Sequence, residues 1–232
     1  MKKKFPTELA YVLGLLALAI GATLMIKADF GLTMIVAPAF VLQTKLSAIF
    51  PWLTLGMMEY IWQGILLIAM MLIVRRARLS YLFSFITAVI FGYMLDGCLA
   101  LSVFLPVMMV TRIAYYLLGV FICSIGVTLI FRTYISPEVH ELLVKEISSK
   151  FGKPAHRIKM LYDAFCCVMA VVLALCFFGK LVGVGWGTIA CAFVNGWLIG
   201  RFSKLFDRWF ECKDLLPLRR FFEKKYDTAL TE

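Results

Sequence analysis

The chain contains no GxSxG, no HExxH and no paired acids in a DxxD arrangement, and its only histidines, His140 and His156, sit in one stretch between long apolar runs. The residue sets that common hydrolytic and metal-dependent chemistries require are therefore missing, and we expect no enzyme. None of the seven cysteines belongs to a CxxC pair or a Cys/His cluster. This argues against a disulfide framework and a metal centre, and leaves them as small polarizable packing residues. No fingerprint for a cofactor is present either.

Apolar side chains are what the chain has in excess. They make up 62% of it, with a mean hydropathy of +0.91, against about 45–50% apolar in an ordinary soluble domain. A formal charge of +10 would point to nucleic acid in a soluble protein. Here the basic residues flank apolar runs, where they orient helices and contact anionic lipid. The lipid bilayer, not nucleic acid, is the expected partner.

Six runs are long enough to cross a hydrocarbon core of ~30 Å: Leu9–Ile26, Leu53–Val74, Tyr81–Val103, Ile113–Phe131, Ile158–Phe178 and Val182–Leu205. Met1-Lys2-Lys3-Lys4 ahead of the first run resembles a secretory leader, but the run has spanning length and belongs to an internal repeat, so we expect it to be retained. With the N-terminus inside, twenty Lys and Arg residues fall on the cytoplasmic side, and only Lys27, Lys45, Arg112 and Lys180 fall outside. That asymmetry predicts a multi-pass protein of the bacterial inner membrane with both termini cytoplasmic.

An offset of 105 residues brings Tyr11-Val12-Leu13-Gly14 onto Tyr116-Leu117-Leu118-Gly119, and Ile20-Gly21-Ala22-Thr23-Leu24 onto Ile125-Gly126-Val127-Thr128-Leu129. After a one-residue gap Glu59 meets Asp163, Gly92 meets Gly196, and Tyr93 meets Trp197. Each unit holds three spans, so consecutive units must enter from opposite sides. The predicted fold is all-α, with six transmembrane helices in two inverted three-helix repeats, residues 1–103 and 104–206. Residues 207–232 form a basic amphipathic tail expected on the cytoplasmic surface.

In each unit the first span leads into a long loop. The segment from Leu32 to Leu42 is too short to span and too apolar for water, so we expect a re-entrant or interfacial element. The second loop opens with Ser136-Pro137-Glu138, a helix-start signal. Val139, Leu142, Leu143, Ile147 and Phe151 then mark an apolar face opposite His140, Glu141, Lys145 and Ser148. This reads as a cytoplasmic amphipathic helix on the bilayer or capping the bundle.

Lys27-Ala28-Asp29-Phe30-Gly31, the Ser136-Pro137-Glu138 turn and Gly183-Val184-Gly185-Trp186-Gly187-Thr188 occur in an order that resembles the YczE/YitT-type group of bacterial membrane proteins. The resemblance covers roughly residues 8–206 and fits the shorter, YczE-like branch. It implies an integral membrane protein of unknown substrate, and it supplies no catalytic residues.

Ionizable groups within spans are costly and mark sites by default. The candidates for substrate or ion binding are Glu59, Gln63, Asp96, Asp163 and Asn195, with Tyr93 and Trp197 as aromatic neighbours able to face an organic cation. No basic residue is expected deep enough to neutralize these acids. Glu59 and Asp96 are expected to converge on one cavity. Asp29, Gly183, Gly185 and Gly187 are loop and turn candidates, the glycines for close packing or an unwound helix start. Ala10, Gly14, Ala17 and Gly21 form a small-residue face on the first span, for contact within the chain or in a homo-oligomer.

These features fit a small secondary transporter for a cationic, proton-coupled solute or ion. They also fit a membrane substrate-binding subunit of a vitamin-uptake ATPase complex, or a non-transporting partner or sensor protein.

Overall fold

A computed structural model describes residues 3–75, 79–153 and 155–213. Apolar sequence of spanning length has no choice but to satisfy its backbone internally, and helices result. In chain order they are α1 (Thr7–Ala28), α2 (Ala37–Leu46), α3 (Leu55–Val74), α4 (Leu79–Ser102), α5 (Met109–Ile130), α6 (Val139–Phe151), α7 (Ala155–Phe178) and α8 (Trp186–Trp209). A short strand β1 (Lys3–Pro6) pairs in parallel with β2 (Phe210–Lys213). The order long, short, long, long thus occurs twice.

Five helices, α1, α3, α4, α5 and α7, are long and apolar enough to cross a membrane. The sixth expected span, α8, is 24 residues long but is not among them. Asn195, Arg201, Lys204, Asp207 and Arg208 dilute its apolar content. It also starts four residues later than the apolar run, because the backbone before it is extended and tied to another loop. Large apolar side chains such as Ile68, Leu72, Val110, Leu117 and Phe165 face outward, as a lipid environment requires.

The centre of the molecule is an antiparallel α1–α5 pair. A Cβ on Gly14 would meet the carbonyl oxygen of Gly126 at 3.2 Å, and one on Gly21 would meet that of Gly119 at 2.8 Å. Only glycine lets the two backbones approach so closely, and dispersion between them is what holds helices together in lipid. The contacts exchange under the 105-residue offset, since Gly14 matches Gly119 and Gly21 matches Gly126. The small-residue face of the first span thus makes contact within the chain, one of the two roles expected for it.

The two short helices are packed into the body. In α2, Ala37, Ala39 and Val41 are fully buried, and the helix lies against α3 and α7. In α6, Val139, His140, Leu142, Leu143, Val144 and Glu146 are buried against α3, α4 and α7. Of the two placements expected for this amphipathic helix, on the bilayer or against the bundle, the packing on α3, α4 and α7 is the second, with part of the polar face pointing inward. The helix begins at Val139 rather than at the Ser-Pro-Glu signal, with Glu138 at the N-cap position. Thr87 donates its hydroxyl to the Ser136 carbonyl at 3.1 Å, which keeps that residue outside the helix.

The tail expectation also changes in part. Helix α8 runs to Trp209 and residues 210–213 form β2, bringing that end beside residues 3–6. The remainder of the apolar and basic tail, from Asp214 onward, lies outside the described residues.

A buried acidic cluster between α3, α6 and α7

Glu59 sits in the second turn of α3 and Gln63 one turn further along the same face, and both are completely buried. The N-terminus of α6 abuts them. Gln63 accepts from the Val139 backbone N–H at 3.1 Å, capping one of the free amides of the helix start. Through Nε2, Gln63 reaches Glu59 Oε1 at 3.4 Å and Glu138 Oε2 at 3.3 Å. His140 completes the set, with Nε2 3.3 Å from Glu59 Oε1 and Nδ1 2.5 Å from the Tyr162 hydroxyl of α7. Further along, Lys150 donates to the Ile73 carbonyl, so α6 runs parallel to α3 from its acid to its C-terminal end.

Lys159 of α7 extends the network. Its ammonium lies 3.1 Å from Asp163 and 3.4 Å from Glu141. The absence of a basic partner expected from the sequence is thereby corrected: His140 comes from the segment between two expected spans, and Lys159 from the expected cytoplasmic edge of the fifth. Among the described residues the cluster still holds four carboxyls, Glu59, Glu138, Glu141 and Asp163, against one lysine and one histidine. Glu59 Oε2 and Glu138 Oε1 are buried with no hydrogen-bond partner among the described residues. Burial pushes the Glu138 carboxyl well above its ordinary range, and the nearby Glu141 and Glu59 add to this, while Gln63 and Lys159 oppose it. A cavity of about 20 Å³ lies against Glu138 and Glu141. That is room for about one water molecule.

The remaining candidates lie elsewhere. Asp96 does not converge with Glu59. Its carboxylate accepts from the Thr54 hydroxyl at 2.6 Å and from the Gly56 N–H at 2.7 Å, so it caps the N-terminus of α3 from the neighbouring helix α4. Asn195 accepts from Ser124 at 2.6 Å and links α8 to α5. Tyr93 and Trp197 are 65% and 62% exposed on the outer surface, with the Tyr93 ring 6.4 Å from that of Tyr60, whereas Glu59 is completely buried. An aromatic box around Glu59 is therefore not formed by them.

The loop candidates form a joint of their own. Leu32 N–H donates to the Gly183 carbonyl and Gly187 N–H to the Phe30 carbonyl, each at 3.0 Å. A Cβ on Gly185 or Gly187 would fall 2.5 or 2.7 Å from the Phe30 oxygen. Asp29 ends α1 in the left-handed conformation, with φ at 55°. Arg112 of α5 bonds its carboxylate at 2.9 Å and the Ala28 carbonyl at 2.7 Å. These residues are engaged in close packing, one of the two roles expected for the glycines.

His140, Glu138, Tyr162, Glu141 and Lys159 were not among the sequence-derived candidates for the site. The available signal was indirect: Glu59 in a span demands a partner, and helical spacing alone put His140 on the polar face of α6.

The fold and this cluster define a multi-pass helical membrane protein with a polar network between its helices, buried at Glu59, Gln63, Glu138 and His140. The chain belongs to a family of unknown function, DUF6198, whose family model matches residues 5–204. No curated protein and no solved structure matches it.

Proposed function

We propose that this protein is a small secondary transporter for a solute or ion of positive charge, with proton coupling, and that the Glu59–Glu138 cluster is its binding site. The observation that carries the reading is the excess of acid around the buried Glu59 and Glu138, together with two carboxylate oxygens that have no partner among the described residues. Such an arrangement needs either bound protons or a cation to offset it. Competition between the two at one site is the minimum for proton-coupled exchange. No catalytic step enters this reading.

The architecture proposed with it has six spans in two inverted three-helix repeats, in the bacterial inner membrane with both termini cytoplasmic. The reciprocal glycine contacts of α1 and α5 support the inverted relation. So do two pairs at opposite ends of these helices, Glu8 with Tyr134 and Asp29 with Arg112. The packing of α2 on α7 and of α6 on α3 exchanges in the same way. The motif resemblance to the YczE-like branch belongs to the same proposal.

A thermal-shift screen of amines, amino acids and vitamins on purified protein, followed by uptake into proteoliposomes, tests it. A stabilising cation should be taken up, with affinity falling as pH falls, and Glu59→Gln should abolish uptake while remaining monodisperse. Normal uptake by Glu59→Gln and Glu138→Gln, with unchanged pH dependence, would overturn it. Co-purification of an ATPase module would instead favour the vitamin-uptake subunit.

A further inference from the structure

Between α5 and the end of α8 lies a second, larger cavity of about 450 Å³. Ile125 and Leu129 form one wall, Phe202, Phe206 and Trp209 the other, and Phe210 of β2 closes one end. The volume is within the ~300–1,000 Å³ range of ligand pockets. Among the described residues the lining offers almost nothing to a polar solute: the Thr128 hydroxyl is already donated to the Ser124 carbonyl at 2.8 Å.

Charge borders this slot on an adjacent helix face. Arg201, Lys204 and Arg208 are spaced three and four residues apart, so they share a face of α8, next to the face that carries Phe202, Leu205, Phe206 and Trp209. All three are exposed and have no acid partner among the described residues. Arg132 lies over the Phe206 ring at 4.9 Å, but it is paired with Asp207 at 2.8 Å and with the Ser203 carbonyl. Arg201 also lies over the Trp197 ring at 5.2 Å, so among the described residues the border holds three positive charges without an acid beside an apolar slot.

We propose that this slot binds one acyl chain of an anionic phospholipid from the bilayer, with Arg201, Lys204 and Arg208 holding its headgroup phosphate. Charge complementarity selects this occupant. An apolar solute would leave the basic face unused, and a free phosphate would leave the slot empty. The site is separate from the acidic cluster, and it does not depend on transport activity.

The full chain, purified in neutral detergent and mixed with equimolar phosphatidylglycerol and phosphatidylcholine of identical acyl chains, tests the proposal by native mass spectrometry. One phosphatidylglycerol should be retained per chain, with phosphatidylcholine excluded. The triple substitution Arg201→Gln, Lys204→Gln, Arg208→Gln should reduce that preference by up to about a hundredfold, from the contribution of three basic residues at a charged interface. Leu129→Trp, which fills the slot, should abolish retention of phosphatidylglycerol without lowering the thermal midpoint. Equal retention of the two lipids, or none, would overturn the proposal. So would retention unchanged in both variants, a dimer covering this face, or loss of the cavity to the chain beyond Lys213, detected as new lipid binding on truncation there.

Discussion

Replacing Glu138 by Gln tests the central electrostatic claim. The folded-state pKa of Glu138 is raised well above its ordinary value of 4.5, first by burial and then by Glu141 and Glu59. A carboxyl with a raised pKa binds its proton more tightly when folded, so between the unfolded and folded values the native state holds more protons than the unfolded state. Stability is then fully present below pH 4.5 and declines as pH rises toward the folded value. Within that window the loss is about 1.4 kcal/mol per pH unit for one group. Glutamine keeps the shape and an acceptor for Gln63 but cannot titrate, so the variant should lack this share of the slope. Thermal unfolding in detergent, read by a thiol-reactive dye at the buried Cys123, Cys166 and Cys191, should be followed from pH 5 to pH 8 in both proteins. The wild-type midpoint should fall across that range relative to the variant. Parallel curves would refute the argument, because they would mean that Glu138 ionizes in the folded state as it does in water.

Three further outcomes follow from the packing. Gly21→Val should destabilise by about 1–3 kcal/mol or more, since a Cβ there collides with Cys123 Sγ; Gly97→Ala, with nothing within 4 Å, is the control and should be neutral or mildly stabilising in the same melts. Asp96→Ala should cost about 0.5–2 kcal/mol as the loss of a helix cap, while the folded fraction retains transport; a folded but inactive variant would contradict its assignment as a cap. His140→Ala should cost about 1–3 kcal/mol by leaving Glu59 and Tyr162 short of a buried partner, whereas Tyr162→Phe, which removes only the hydroxyl contact, should cost less.

Much of the fold was legible in the linear pattern, for a physical reason. Apolar runs of spanning length can satisfy their backbone in lipid only as helices, so α1, α3, α4, α5 and α7 follow from hydropathy almost residue for residue. The short elements were visible too, because Leu32–Leu42 is too apolar for an ordinary loop and Val139–Phe151 repeats its apolar residues at helical spacing after a helix-start signal. Glu59 and Gln63 announced themselves as polar groups in a span, one turn apart on one face.

What the sequence could not decide was partnership across the chain. Helical spacing tells which side chains share a face, and it does not tell which other helix that face will meet. Asp96 and Glu59 look alike in hydropathy, yet one meets the amide of Gly56 and the other a histidine 81 positions away. The polar face of α6 would be solvated if the helix lay on the surface. Once α6 is drawn between α3 and α7, the same residues become the partners that a buried carboxylate requires. Composition and periodicity determined that this chain enters a membrane and where its helices run; only tertiary packing determined which charges end up sealed together, because that depends on contacts between residues far apart in sequence.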